Sequence, residues 1–187
     1  MKQHIRIVSA VIVIMLGVWT GQAQQVALKT NVLMLGGATP NLACEIVTGE
    51  HSSVDLSLFG HWTLYSMNSR LMGFQPEFRY WFNGRPMVRE YIGIAALVVT
   101  YDMTLGKNVY DGDAAGVGFS GGYCFILGKR LNLECYGGFG LVVFRQKQYY
   151  KQDHYDDYFP DGIIRPNAHG YKLLPIKLGV SLSYIIK

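Results

Sequence analysis

The sequence predicts an all-β chain: an eight-stranded, antiparallel, up-and-down transmembrane β-barrel. Three observations carry that expectation. Eight runs of residues alternate between a greasy face and a small or polar one, the period-2 signature of a strand. No stretch of helical period separates them. Short and long connections take turns along the chain, as they do where a barrel has two unlike ends. Composition agrees, because the 187 residues include 22 Gly and 13 Tyr and only 16% are charged. These are proportions for many strands and many turns.

An export signal is expected before the first run, over residues 1–23. Lys2 and Arg6 form a basic n-region, Ile7 to Val18 an apolar h-region, and Gly21-Gln22-Ala23 a small-residue cleavage site. The remaining residues, 24–187, form one domain, the outer-membrane barrel. Without Lys2 and Arg6 the chain keeps 15 basic against 13 acidic side chains. That balance argues against nucleic acid as a partner. No later segment is apolar for the roughly 18 residues of a spanning helix.

The first run, Val26 to Leu35, sets Leu28, Thr30, Val32 and Met34 against Lys29 and Asn31. The second, Leu42 to Thr48, sets Leu42, Cys44 and Ile46 against Ala43, Glu45 and Val47. The third, Ser53 to Trp62, sets Val54, Leu56, Leu58 and Trp62 against Ser53, Asp55, Ser57 and His61. The fourth, Met72 to Phe82, sets Phe74, Phe78, Tyr80 and Phe82 against Gln75, Glu77, Arg79 and Trp81. The fifth, Tyr91 to Tyr101, is apolar on both faces. The sixth, Gly116 to Leu127, sets Val117, Phe119, Tyr123 and Phe125 against Gly118, Ser120, Gly122 and Cys124. The seventh, Leu131 to Phe144, sets Leu133, Cys135, Phe139 and Leu141 against Asn132, Glu134, Tyr136 and Gly138. The eighth, Leu174 to Lys187, places Leu174, Ile176, Leu178, Val180, Leu182, Tyr184 and Ile186 on one face.

Hairpin-sized turns are expected at Gly49-Glu50-His51, Asn83-Gly84-Arg85-Pro86 and Gly128-Lys129-Arg130. Longer loops are expected at Thr63 to Leu71, Asp102 to Asp113 and Arg145 to Gly170. Parity fixes the register of one turn. A three-residue loop sets Phe125 opposite Leu133 and Tyr123 opposite Cys135, all on the greasy face, whereas a two-residue loop would mix the faces.

The greasy face is expected to point outward, into outer-membrane lipid. The polar faces carry too few charges for a soluble exterior. Trp62, Tyr80, Tyr123 and Tyr184 stand near strand ends, where aromatic girdles sit. The Lys177, Gly179, Leu182, Tyr184 pattern of the last strand is similar to the signal read by barrel assembly machinery, although the usual terminal aromatic is replaced by Ile185-Ile186-Lys187. The competing arrangement is a soluble periplasmic lipocalin-like ligand carrier, which alternates with its apolar face inward.

The blocks "KTNVLMLGGATPNLACEIVTGEHSSVDLS", "GFQPEFRYWF" and "GFSGGYCFILGKRLNLECYGGFGL" resemble a family of small outer-membrane barrels of Bacteroidetes-type bacteria. The likeness covers about Lys29 to Tyr149 and the final strand. It is a domain family of unknown function, often encoded beside fimbrial or OmpA-like components. The resemblance implies an OmpA/OmpX-like eight-stranded barrel and a fimbrial connection. It implies no activity and no catalytic residues.

Pointing the greasy face outward turns Lys29, Glu45, Asp55, Glu77, Arg79, Glu134 and Lys177 toward one lumen. Eight strands leave room for little more than side chains, so these charges must pair in a salt-bridged, filled lumen. An ion path is the weaker reading of the same residues. The last loop gathers Tyr149, Tyr150, Tyr155 and Tyr158 among charges of both signs, a composition suited to contact with an extracellular protein or glycan. Its acids fit no calcium loop, and the three cysteines form neither a metal motif nor a disulfide framework, so no metal and no cofactor is expected. The expected role is therefore a non-catalytic structural or surface-interaction accessory. The alternative is an outer-membrane lipid-modifying enzyme, with His61 near Ser66 at the outer rim as its nearest approach to a nucleophile and base.

Overall fold

A computed structural model describes residues 25–64, 67–150 and 166–186. The expected signal, residues 1–23, lies outside them, as do Ser66, Tyr155 and Tyr158. Eight strands follow in chain order: β1 (Val26–Asn31), β2 (Asn41–Val47), β3 (Ser52–Leu64), β4 (Met67–Trp81), β5 (Arg89–Leu105), β6 (Asn108–Ile126), β7 (Leu131–Tyr150) and β8 (Ala168–Ile185). A short helix, α1 (Val32–Gly36), follows β1. Every strand pairs antiparallel with its chain neighbour, and β8 returns to β1, so the sheet closes as an up-and-down barrel. Closure joins the first and last strands and so pairs backbone N–H and C=O groups that an open sheet would leave free, along Ala27–Asn31 and Ser181–Ile185 at the β1–β8 seam.

The lower end carries the connections 48–51, 82–88 and 127–130; the upper end carries the others. The turn at 128–130 follows the parity argument, with Tyr123 opposite Cys135, Cys124 opposite Glu134 and Phe125 opposite Leu133. Side-chain exposure follows the alternation. Leu58, Ile94, Val117, Phe119, Phe139 and Leu178 stand on the outside at 60–74% exposure. Lys29, Glu45, Asp55, Glu77, Arg79 and Glu134 turn inward and are buried.

Four local expectations fail, each for a physical reason. The first run does not continue as a strand to Leu35. Asn31 caps a helix there, its side chain accepting from the amides of Leu33 (3.0 Å) and Met34 (3.3 Å). The loops expected after the third and fifth runs are mostly strand. β5 and β6 run on to a reversal at Gly106-Lys107, where Gly106 has φ +65°. β7 runs on to Tyr150 and β8 begins at Ala168, so strand takes both ends of the expected last loop; residues 151–165 between them lie outside the described residues. The turn expected at 83–86 is longer, because β4 ends at Trp81 and the chain tucks Met87 wholly inside the barrel before β5 begins. Finally, strict alternation breaks in β8. A register shift opposite Gly138 and Phe139 lets both Ile176 and Lys177 point inward, so Ile176 is 4% exposed rather than outward-facing.

Candidate functional site: a plugged lumen under an apolar chamber

The lumen is filled in layers. At the lower mouth Trp81 packs on Tyr91 with ring centroids 4.8 Å apart, and Met87 closes the space beside them. The Met87 carbonyl accepts from Asn132 Nδ2 at 2.9 Å. The Trp81 indole donates to Ser53 Oγ at 2.8 Å, and Ser53 in turn donates to Glu45.

Above this stopper the seven charges anticipated from the sequence are brought together. Arg79 on β4 is the hub. Its Nε meets Glu77 at 2.6 Å, and its terminal nitrogens reach Glu45 and Glu134 at 3.0 Å each and Asp55 at 3.4 Å. The guanidinium also lies 4.4 Å from the centre of the Tyr91 ring. Lys29 on β1 contacts Glu45, reaches Glu134 at 2.7 Å and Asp55 at 3.3 Å. Lys177 on β8 binds Glu77 at 2.5 Å and Asp55 at 3.4 Å. Side chains from six different strands therefore meet in one cluster, and all seven are less than 5% exposed. Unpaired charge at such burial costs several kcal/mol, about as much as a whole domain's margin of stability allows. The pairing is what makes the placement tolerable.

Gly179 shows how closely the layer above is fitted. A Cβ there would lie 2.1 Å from Asn31 Nδ2 and 2.7 Å from the Tyr136 hydroxyl. Without one, Asn31 reaches past β8 to donate to the Leu178 carbonyl (3.1 Å), and Tyr136 bonds Ser181 at 2.8 Å.

Higher still, the inside becomes apolar. Ala95, Ala114, Val142 and Ile176 form a buried cluster, with Leu97, Val99, Tyr101 and Phe144 packed on it. The outer face changes in the opposite sense. Thr100, Asp113, Arg145 and His169 stand on one rung of the β5–β8 ladder, and Met72 of β4 completes it. Thr100 donates to Asp113 at 2.8 Å, and one step further out Lys147 and Asp111 approach to 3.7 Å. Below that rung the exterior is apolar; above it the exterior is polar. The sequence reading missed this inversion. Its signal was the fifth run, apolar on both faces, whose upper half serves an inner surface and whose lower half serves an outer one.

The other expected residues lie apart from the plug. Tyr149 and Tyr150 end β7, and Tyr150 is exposed. His61 is turned inward, with its Nδ1 3.2 Å from Thr39 Oγ1 and its Nε2 3.1 Å from Ser69 Oγ. Ser69, and not only Ser66, is thus a hydroxyl to weigh beside it. The three cysteines are free thiols, Cys124 inside and Cys44 and Cys135 half-buried.

Fold and lumen together define a class: a small closed β-barrel with an ion-paired interior and an apolar exterior girdle. Within that class the chain belongs to the DUF3575 family, a protein family of unknown function, which it matches over residues 9–186. No curated protein and no solved structure matches it significantly.

Proposed function

We propose that the protein is an outer-membrane barrel that is closed to diffusion and presents its tall β5–β8 hairpins beyond the bilayer as an interaction surface, without catalysing a reaction. The observation that carries this reading is the outer girdle. On β6 its outward residues run from Phe125 to Ala115, about ten residues; at roughly 3.3 Å rise and a tilt near 40°, that span is about 25 Å tall, the height of the apolar band of outer-membrane barrels. The ion-paired layer supports a closed lumen. The hairpins that rise above the charged rung support contact with an extracellular protein or glycan through Tyr149 and Tyr150, joined by Tyr155 and Tyr158 in the connecting segment. A fimbrial or other cell-surface component is the partner class that the resemblance in sequence favours.

The test is fractionation followed by gel mobility. Expressed with residues 1–23 intact, the protein should stay with the membrane pellet through a high-pH wash, and unboiled extract should migrate differently from boiled. Recovery in the soluble periplasmic fraction would overturn the proposal. Deleting 151–165 should then abolish capture of the partner while leaving the gel shift intact.

One observation favours a second reading, a lipid-modifying enzyme. Ser69, His61 and Thr39 form a hydrogen-bonded chain with the geometry of a hydroxyl, its base and an orienting group. Thr39 supplies no negative charge to stabilise an imidazolium, which weakens it as the third member. Acyl-ester hydrolysis lost on Ser69→Ala would establish this reading; wild-type protein without such activity would exclude it.

A further inference from the structure

We propose that the upper lumen is a binding site for one long-chain fatty acid, admitted sideways through the barrel wall. Three features support it independently. The first is the chamber. Above the plug lies a cavity of about 650 Å³, walled by Leu97, Val99, Ala114, Val142, Phe144 and Leu174. That size falls among small-molecule sites, roughly 300–1,000 Å³. The ion-paired layer fills the lumen below it, so a ligand can enter but not pass.

The second is a gap in the wall. β1 pairs with β8 only from Ala27–Ile185 to Asn31–Ser181, after which the chain turns into α1. Among the described residues no strand pairs with that edge of β8 above this point. The edge is instead satisfied piecemeal. Asn31 caps the Leu178 carbonyl, Gln75 donates to the Ile176 carbonyl from across the lumen, and Pro175 has no N–H to leave unpaired. Opposite, the Gly60 amide makes the last backbone bond of β3 toward β2, to Pro40. The gap lies beside Leu173, on a rung with Leu141 and Val117 of the girdle, and so at the height of the bilayer. Helix α1 flanks it with Val32, Leu33 and Leu35 exposed. A smaller cavity of about 100 Å³ touches Met34 and Leu178 at the gap, Lys29, Asp55, Arg79 and Lys177 on the ionic layer, and Leu97, which also lines the chamber, so the gap leads toward the chamber across the top of the plug.

The third is the polarity of the mouth. Toward the upper end the wall turns to Gln146, Gln148, Asn167 and Lys172, with no acid among the described residues that line it. Lys172 Nζ sits 5.4 Å from the centre of the Phe144 ring, at the border of apolar and polar lining. An apolar tube ending at the Lys172 ammonium fits an unbranched chain that ends in one carboxylate: tail toward Ile176, head at Lys172. Only the sideways route rests on the membrane reading; the chamber and its head-group contact do not.

The experiment is native mass spectrometry of the folded barrel released from detergent micelles, with palmitate or methyl palmitate added. Wild-type protein should bind one palmitate per barrel, at least 10-fold more tightly than the methyl ester. Lys172→Gln should bring palmitate down to the level of the ester. Ala114→Phe should abolish both, and Leu174→Trp serves as a second obstruction should the first fail the unboiled-gel test of folding. Palmitate binding that survives both obstructions in folded protein, or equal binding of acid and ester to the wild type, would overturn the proposal. A soluble, folded protein that still binds palmitate would remove the membrane reading and leave the site.

Discussion

The lower and upper halves of this barrel solve the same packing problem with opposite chemistry. Below, the outside is apolar and the inside ionic; above, the outside is charged and the inside apolar. One strand serves both halves without changing its period. On β7 the inward series runs Glu134, Tyr136, Gly138, Gly140, Val142 and Phe144, while the outward series runs Leu133, Cys135, Gly137, Phe139, Leu141, Val143 and then Arg145. The membrane placement proposed above accounts for the exchange. A wall set in hydrocarbon gains nothing by turning apolar residues inward, which leaves the interior free to hold paired charge. A wall set in water has the same residue types driven inside by the hydrophobic effect.

If this comparison holds, the largest effect comes from the lower half. Arg79→Ala removes the one cation that touches all four acids. Leaving buried carboxylates underpaired should cost about 3–5 kcal/mol, measured by urea unfolding in lipid vesicles with the unboiled gel band as readout. Val142→Ala in the upper half removes only methyl groups beside an existing cavity and should cost about 1 kcal/mol. Equal losses would mean the two halves are not energetically distinct.

The outer face offers the next test. Phe119, 74% exposed at mid-girdle, should cost about 2–4 kcal/mol when changed to Arg. Asp102, on the rung above Thr100 and Asp113, should accept Arg with almost no change. Identical small costs at both positions would show that no bilayer surrounds the lower half. Gly179→Val follows in size. Crowding Asn31 and Tyr136 should cost about 1–3 kcal/mol in the same assay, and Asn31→Ala should remove part of that penalty.

Much of the lower half was legible in the sequence because one rule governs it. Period-2 alternation with a single sign of face assigns Lys29, Glu45, Asp55, Glu77, Arg79, Glu134 and Lys177 to one side, and strand pairing does the rest. The upper half was hidden for the same reason. Once the polar and apolar faces exchange, polarity no longer says which face is inner, and Asp102 to Asp113 reads as a loop although it is hairpin. Two signals were readable but compete with stronger ones. Pro175 within a strand marks an edge, yet it sits in an alternation that only Ile185 interrupts. Asn31 is a helix cap, yet it falls at a polar position of an apparent strand. The bulge at Ile176 left no trace in the residue types, since isoleucine suits either face.

The smallest expected effect separates the halves by alkali. Tyr101 lies inside the upper chamber, past the charged rung, and its hydroxyl donates to Gln146 Oε1 at 2.8 Å. Burial, with the negative charges of Asp113 and then Asp111, holds this phenol above its ordinary value of 10. The neutral form is therefore favoured more in the folded barrel than in the unfolded chain. Its contribution is complete below pH 10 and fades as pH rises through the folded value, because the unfolded chain releases the proton first. Tyr101→Phe cannot ionise, so its unfolding midpoint should fall less steeply above pH 10 than that of the wild type, by a few per cent of the denaturant scale. At pH 8 the order reverses slightly, since the variant lacks the bond to Gln146. Parallel curves for the two proteins from pH 8 to 11 would show that water reaches the Tyr101 hydroxyl well enough to solvate the phenolate, and the upper half would then be no drier than the mouth above it.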